Sequence, residues 1–204
     1  MEEKKRIIIG ITGASGSVYA RLLVEKLLTI DSVELSVIAT LNGLSVMRFE
    51  DNIEWLKDSR MRYYDNSDFF SSPASGSARF DSMVIIPCTM GTIGRIAAGI
   101  STDLLVRAAD VMLKERRQLI IVPRETPLST IHLKNMTTLS QCGAVICPAS
   151  PSFYSYPESI EAVCRTVTDR VVSLLGLDPG TTEWGKNEST LRKPNEGSTV
   201  IPGE

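Results

Sequence analysis

The stretch from Ile7 to Tyr19, IIIGITGASGSVY, constrains the fold more than any other part of this chain. A short apolar run, a turn with three glycines and a helical pattern of apolar residues follow one another there, which predicts a strand, a tight turn and a helix. Glycines let the backbone approach a ligand closely, and the first turn of a helix presents free N–H groups to an anion. We therefore predict a nucleotide phosphate at this turn, with a strand-to-helix turn that binds no ligand as the alternative.

The spacing of the glycines differs from the G-x-G-x-x-G fingerprint of dinucleotide-binding folds, because Thr12 stands two residues after Gly10. It is closer to the T-G-x-x-G of short-chain dehydrogenases. However, Tyr19 replaces the third glycine that those enzymes often carry, and no tyrosine is followed four residues later by lysine. The missing Tyr-x-x-x-Lys pair disfavours an NAD(P)-dependent oxidoreductase.

Apolar runs that indicate strands alternate with helical patterns along the chain. The expected strands cover residues 7–9, 33–39, 81–87, 118–122 and 144–147. The expected helices begin at about residue 18 and cover 43–50, 93–99, 103–115, 127–141 and 157–175, while 51–80 is expected to be a loop with one short strand or helix. This alternation of helices with continuous apolar strands predicts a single α/β domain in which a parallel sheet is sandwiched between helices.

In such sheets ligands bind beyond the carboxyl ends of the strands. The segments expected there are 13–16, Thr40, 88–92, 124–126 and 149–156. Each of these segments carries a hydroxyl group or a charge. We therefore predict one binding site that these segments form together.

Composition excludes several other classes of protein. The net charge of −2 gives no reason to expect a nucleic acid or an anionic membrane as partner, and no apolar run approaches the roughly 20 residues that span a bilayer. The charged start MEEKKR has no secretory or transit character. Four scattered cysteines indicate reduced thiols in the cytoplasm, and a single histidine, His132, excludes a metal site built on several imidazoles.

The composition changes at Asp178, where residues rich in Pro, Gly, Thr, Glu and Lys replace the core pattern. We expect a domain over residues 1–186 and a disordered tail over 187–204. Trp184 is the exception in this polar segment, and it is expected to pack on its own domain or on a neighbouring subunit.

Four segments, GITGASGSVY, PCTMGT, DLLVRAADVMLKERRQLIIVPRETPLS and PASPSFYSYPES, together resemble the flavin prenyltransferases of the UbiX/Pad1 family. The resemblance extends over residues from about 5 to 185. It implies a flavodoxin-like, Rossmann-related fold, a dodecamer, and binding of reduced FMN and dimethylallyl monophosphate. It further implies prenyl transfer to flavin N5 and C6 without a metal, and delivery of the prenylated FMN to a UbiD-type decarboxylase.

The resemblance also implies roles for individual residues. The implied FMN contacts are Gly13, Ala14 and Ser15 as the phosphate loop, then Thr40, Thr89, Met90, Gly91, Thr92 and Arg124. The implied substrate contacts are Tyr154 and Arg170 at the prenyl phosphate and the pair Ser75 and Gly76 beside the substrate. The implied catalytic residues are Glu50, Gln141 and Arg124.

Two residues depart from the pattern of that family: Gln141 stands where many members have glutamate, and Gly91 stands where many have lysine. They leave open a non-catalytic flavin-carrying subunit of a decarboxylase system. An FMN-dependent cysteine-type decarboxylase is a further alternative. Its usual P-A-S-A-N-T loop is replaced by Pro87-Cys-Thr-Met-Gly, however, and no histidine precedes His132.

Overall fold

Six strands and six α-helices lie along the residues that the computed structural model describes, 4–50 and 53–180, and they alternate except that no α-helix separates β3 from β4 and no strand separates α3 from α4. The strands are β1 (Lys5–Ile11), β2 (Val33–Ala39), β3 (Met61–Asp65), β4 (Ser82–Cys88), β5 (Gln118–Pro123) and β6 (Val145–Ile146). The helices are α1 (Ser17–Leu27), α2 (Leu41–Glu50), α3 (Met90–Ala97), α4 (Leu104–Lys114), α5 (Thr130–Gln141) and α6 (Ile160–Leu174). The end of the predicted domain at residue 186, Trp184 and the predicted tail 187–204 lie outside the described residues.

The strands form one parallel sheet in the order β3-β2-β1-β4-β5-β6. This is the strand order of doubly wound Rossmann-type sheets, in which the direction of winding reverses beside β1. The predicted α/β class, with a flavodoxin-like, Rossmann-related sheet between helices, is confirmed. The crevice for a ligand is expected at the carboxyl ends of β1 and β4, where the two halves of the sheet diverge.

Both faces of the sheet are covered, because neighbouring residues of each strand contribute to different cores. Ile7 and Ile9 of β1 pack with α1 and α6 on one face. Ile8 packs on the other face with α3, α4 and Leu139 of α5. The strands are therefore apolar without interruption, as the parallel arrangement requires.

Hydroxyl caps decide where three helices begin. The side-chain oxygens of Thr89, Ser129 and Ser159 accept hydrogen bonds from amides three residues further on, at 3.1–3.2 Å. Consequently α3 begins at Met90, before the predicted residue 93, whereas α5 and α6 begin three residues after the predicted Pro127 and Pro157. A cap satisfies amides that have no partner within the helix, and each of these helices therefore begins directly after its capping residue.

Candidate functional site

The glycine-rich turn joins β1 to α1 as the sequence predicts. Gly16 has a φ of 101°, a left-handed conformation that glycine adopts readily, and it precedes α1 without a capping side chain of its own. A Cβ atom on Gly13 would lie 2.7 Å from the Cβ of Asn42 on α2. The two glycines therefore serve different needs: one permits the turn, and the other lets α2 approach the loop.

Glu50, the last residue of α2, supplies the cap that α1 lacks. Its carboxylate accepts hydrogen bonds from the Gly16 amide at 2.9 Å, from the Ser17 amide at 2.8 Å and from the Ser17 hydroxyl at 2.9 Å. A negative charge at a helix N-terminus is favoured by the free amides and by the helix dipole. Glu50 thus binds the amides that open α1.

The Ser15 hydroxyl also donates a hydrogen bond to Glu50. Burial raises the pKa of Glu50, but the hydrogen bonds from Ser15 and from the first turn of α1 outweigh it, so the pKa lies below its ordinary value of 4.5. Glu50 is consequently a carboxylate at neutral pH. It borders a cleft of about 420 Å³ whose wall also includes Ser15, Gly16, Ser17, Val18 and Arg21.

Two threonines beside the loop hold the backbone with their hydroxyls. The Thr40 hydroxyl accepts a hydrogen bond from the Gly43 amide at 3.0 Å, in the first turn of α2. The buried Thr12 hydroxyl donates to the Pro87 carbonyl and accepts from the Thr89 amide, each at 2.8 Å. Thr40 keeps its proton to donate to a ligand, whereas Thr12 joins β1 to the end of β4.

The predicted loop from Thr89 to Thr92 is the cap and first turn of α3. The Thr89 oxygen accepts from the Thr92 amide at 3.2 Å and lies 3.0 Å from the Thr92 hydroxyl. At Gly91 an added Cβ would meet no atom of the described chain within 4 Å, so the backbone there is open to a ligand. The hydroxyls and the first amides of α3 form a set of donors that fits a phosphate group.

Arg124 follows β5 at the same edge of the sheet, and its amide donates to the Cys88 carbonyl at 3.3 Å. Its side chain is exposed, and its charge acts on Tyr19 of α1. The residues that lie at this carboxyl edge are therefore Ser15, Thr40, Thr89–Thr92 and Arg124, together with Glu50, which strand ends alone did not predict there. Tyr154 lies in the exposed loop after β6, and Arg170 lies further along α6 with its charge near Cys147.

Three predicted residues do not join this group within one chain. Gly76 accepts a hydrogen bond from Arg117, which precedes β5, and Ser75 is its neighbour, so both lie at the amino edge. Gln141 ends α5, about 18 Å along a helix that starts near the carboxyl edge. Gln141 lies there because α5 runs away from the carboxyl edge. Ser75 and Gly76 lie there because the segment before β4 contacts the start of β5.

The structure adds Ser17, Tyr19 and Arg21 to the neighbourhood of the site. All three lie in the first turns of α1, and the helical period predicts that not all of them face the core. By contrast, Cys88 is fully buried, and burial raises the pKa of its thiol, so it is no nucleophile. In the described parts of the chain no cluster of His, Cys, Asp and Glu could hold a metal ion, and no helix there is long and apolar enough to span a membrane.

The sequence of this chain is similar to a known family and to known proteins. The model of the family described as Flavoprotein matches residues 1–175. The flavin prenyltransferase UbiX of Methanocaldococcus jannaschii is 45% identical over 175 residues, which are 85% of this chain and 94% of that protein.

Two solved structures are also similar. A complex of AnUbiX (PadA1) with FMN and dimethylallyl pyrophosphate superposes with a TM-score of 0.86 at 35% identity, covering 91% of this chain and 100% of that one. A dodecameric FMN-dependent UbiX-like decarboxylase from Escherichia coli O157:H7 has a TM-score of 0.84 at 36% identity, covering 88% and 98%.

Proposed function

The chain belongs to the flavoprotein family and, within it, to the UbiX flavin prenyltransferases, and we propose that it transfers a dimethylallyl group from dimethylallyl monophosphate to N5 and C6 of reduced FMN. The carrying observation is the convergence at the carboxyl edge of the Thr40 hydroxyl, the first turn of α3 and Arg124 around a glycine-rich loop, in which Glu50 already binds the amides of Gly16 and Ser17. This donor set matches the phosphate of FMN in charge and hydrogen bonding. It lies beside β1 and β4, where doubly wound sheets bind nucleotides.

FMN would supply the nucleophilic N5 and C6 atoms that receive the prenyl group, and the residues of the chain hold it. The backbone of Gly13–Ser15, the Thr40 hydroxyl and the first turn of α3 from Thr89 donate hydrogen bonds to the flavin phosphate. Arg124 binds the flavin with a planar guanidinium that stays charged at every working pH. Gly91, with open space at its Cβ position, lets the flavin approach the backbone of α3.

Breaking the allylic C–O bond of the donor leaves a delocalised cation and a phosphate dianion. We assign the phosphate to Arg170 and Tyr154, since a guanidinium pairs with two phosphate oxygens and a phenol donates one further hydrogen bond. Both side chains are exposed, so the dianion can leave after the reaction. The protein thus contributes positioning and electrostatic stabilisation.

Glu50 is assigned to proton transfer near the reacting centre. It is a carboxylate at neutral pH, accepts a hydrogen bond from the Ser15 hydroxyl and borders the cleft together with Ser15. A carboxylate with a lowered pKa is a weak base, so the released phosphate is the stronger acceptor for the proton that leaves C6. Gln141 cannot exchange a proton, and its role is limited to hydrogen bonding.

The positions of Ser75, Gly76 and Gln141 support an oligomer. They reach a prenyl transfer site only where the amino side of one protomer faces the carboxyl edge of another. Large apolar side chains are exposed in agreement with extensive subunit contacts, namely Leu41, Phe49, Phe70, Ile131, Phe153 and Ile160. We propose a dodecamer, the assembly named for the related Escherichia coli protein.

We further propose that the protein acts in the cytoplasm and that a UbiD-type decarboxylase takes up its prenylated FMN. All four cysteines are free thiols, which agrees with a reducing compartment. The family resemblance alone supports the recipient decarboxylase. Copurification of the two proteins, or recovery of decarboxylase activity in a mixture of the two, tests this step.

The transfer itself is tested by anaerobic incubation of the purified protein with reduced FMN and dimethylallyl monophosphate, followed by mass spectrometry of the released flavin. We expect a flavin heavier by one five-carbon unit. Parallel reactions with the pyrophosphate identify the preferred donor. FMN that binds but stays unmodified with either donor would reject the proposal in favour of a flavin-carrying subunit. Decarboxylation of a peptide C-terminal cysteine would instead favour the cysteine-type decarboxylase.

A further inference from the structure

Arg95 lies in α3, whose first turn we assign to the flavin phosphate, but none of the contacts assigned so far involves it. Its guanidinium donates hydrogen bonds to the Asp103 carboxylate at 2.5 Å and to the Thr102 hydroxyl at 3.1 Å. The other carboxylate oxygen of Asp103 accepts from the Val106 amide at 3.1 Å and caps α4. Arg95 is therefore held in place by the start of the next helix.

The second terminal nitrogen of Arg95 faces the Thr92 hydroxyl, one turn earlier in α3, at 3.4 Å. A guanidinium carries only donors, so it cannot accept the proton of that hydroxyl. Thr92 is 2% exposed, and among the residues that the structure describes its hydroxyl has one other partner, the Thr89 hydroxyl at 3.0 Å. A buried donor without an acceptor is unfavourable, so the Thr92 proton is donated to Thr89.

The Thr89 oxygen thus accepts two hydrogen bonds, one from the Thr92 hydroxyl and one from the Thr92 amide at 3.2 Å. A hydroxyl oxygen has two lone pairs, so both are in use and only the proton of Thr89 is left to bind a partner. No group in the described part of the chain accepts this proton, and Thr89 is half-buried at the carboxyl edge. The Thr89 hydroxyl is therefore left as a donor to a ligand.

We infer that Arg95 is a positioning residue that acts through Thr92 and fixes the Thr89 hydroxyl as a donor to the phosphate of FMN. A hydroxyl whose direction is set before binding loses less conformational entropy when the anion arrives. It also cannot turn its lone pairs toward the negative charge. The inference rests on the proposed function, because it takes the first turn of α3 as part of the FMN site.

Arg95→Gln tests this role, because an amide oxygen can accept the Thr92 proton and let Thr89 donate to Thr92 in place of the ligand. The dissociation constant of FMN is measured on the full chain by quenching of flavin fluorescence. We expect Arg95→Gln to raise it about 3- to 10-fold, the effect of one lost hydrogen bond. Arg95→Lys presents only donors to Thr92 and is expected to bind FMN nearly as tightly as wild type.

Variants of Thr92 separate this role from a general effect on the fold. Thr92→Val removes the hydroxyl but keeps the amide that Thr89 caps, and it is expected to weaken FMN binding in the same direction. Thr92→Ser keeps the hydroxyl and is expected to bind like wild type. In the Thr92→Val background, Arg95→Gln is expected to add no further weakening, because the group through which Arg95 acts is gone.

Arg107→Gln is the matched control. Arg107 is exposed over 34% of its side chain, against 32% for Arg95, and it pairs with Asp110 at 2.8 Å. Its substitution also removes an ion pair of a helical arginine but does not touch the threonine hydroxyls, so the dissociation constant is expected to stay unchanged. Thermal unfolding of each variant checks the fold.

Equal weakening by Arg95→Gln with and without the Thr92 hydroxyl would overturn the inference, since Arg95 would then act on the fold alone. An unchanged dissociation constant in Arg95→Gln, or an equal loss in Arg95→Lys, would overturn it as well. FMN binding does not require prenyl transfer, so a wild-type chain that binds FMN but transfers nothing rejects the proposed function and leaves Arg95 to be judged by the double-variant comparison. A wild-type chain that does not bind FMN rejects both.

Discussion

Arginines flank β5 at both ends, and their surroundings differ sharply. Arg117, before the strand, is largely covered and donates to the Gly76 carbonyl at 2.8 Å. Arg124, after the strand, has an exposed side chain beside the glycine-rich loop. The same residue type is therefore structural at one end of a strand and available to a ligand at the other.

The backbone around each arginine explains the difference. At the amino edge the segment before β4 presents carbonyl oxygens to two arginines, so Arg6 donates to Ala78 and Arg117 donates to Gly76. At the carboxyl edge helices begin, and helix N-termini present donors. Arg124 has no side-chain hydrogen bond or ion pair within the described residues, so an anion can supply its acceptors, whereas Arg21 at the same edge is paired with Glu25 and Glu161. The two ends of β5 therefore show that the acceptors around an arginine decide whether it stays available for binding.

The largest effect is expected from removing the available arginine. Arg124→Ala should weaken FMN binding about 10- to 100-fold, because a hydrogen bond to a charged group contributes about 1.5–3 kcal/mol. Its free energy of unfolding should change little, since the side chain is exposed. Fluorescence titration and urea unfolding measure the two quantities. A loss of stability without a loss of affinity would place Arg124 in the same class as Arg117.

Thr40 stabilises the fold, as Arg117 does, and is also assigned to FMN binding, as Arg124 is. Thr40→Val removes the hydroxyl that accepts from Gly43 and that we assign to the flavin phosphate. We expect FMN binding to weaken about 10-fold, and the free energy of unfolding to fall by about 1 kcal/mol through the lost cap of α2. Thr40→Ser keeps the hydroxyl and should restore both quantities. Thermal unfolding and FMN titration are the measurements.

Arg117→Ala tests the arginine that precedes β5, to which we assign a structural role. It removes the donor to the Gly76 carbonyl, so the free energy of unfolding should fall by about 1–3 kcal/mol. Urea unfolding gives this value, and the FMN dissociation constant of the isolated protomer should be unchanged. A weakened affinity in the protomer would mean that the amino edge reaches the flavin without a second subunit.

Glu50→Gln should give the smallest change in the free energy of unfolding, and this change should depend on pH. Glu50 in the folded chain has a pKa below the ordinary 4.5, so its contribution to stability is present above pH 4.5 and is lost as the pH falls through the folded-state pKa. Glu50→Gln should be less stable than wild type at pH 7, by at most about 1 kcal/mol because the side chain is exposed. Urea unfolding between pH 3 and 7 should show the two proteins converging in acid. A difference that is constant with pH would exclude the charge as its cause.

The sequence predicts well which residues lie at the carboxyl edge, because strand ends are local features. An apolar run followed by hydroxyls and glycines indicates where Thr40, Thr89 and Arg124 lie, and the parallel sheet aligns them. The contact of Glu50 with Gly16 and Ser17 is not predictable in this way. It depends on how α2 folds back over the loop, and neither periodicity nor spacing encodes that angle.

The spatial positions of the residues whose roles only the family resemblance implies are also not predictable from the sequence. Ser75, Gly76 and Gln141 match the family by sequence, but a pattern along the chain contains no information on which protomer supplies a group. The direction of α5 places Gln141 away from the carboxyl edge, and only the structure gives that direction. The predicted starts of α5 and α6 are wrong for a local reason, because Ser129 and Ser159, which follow the prolines, cap these helices.

The strand order β3-β2-β1-β4-β5-β6 has a consequence for synthesis of the protein. β2, the first partner of β1, is complete at Ala39, whereas the second partner, β4, is complete only at Cys88, 49 residues later. At about 5–20 residues per second this interval is about 2 to 10 seconds. During that time β1, the future centre of the sheet, has one edge without a partner and is open to aggregation. FMN cannot fully protect the nascent chain in this interval, because Thr89–Thr92 and Arg124, which we assign to its binding, follow Cys88 in the chain.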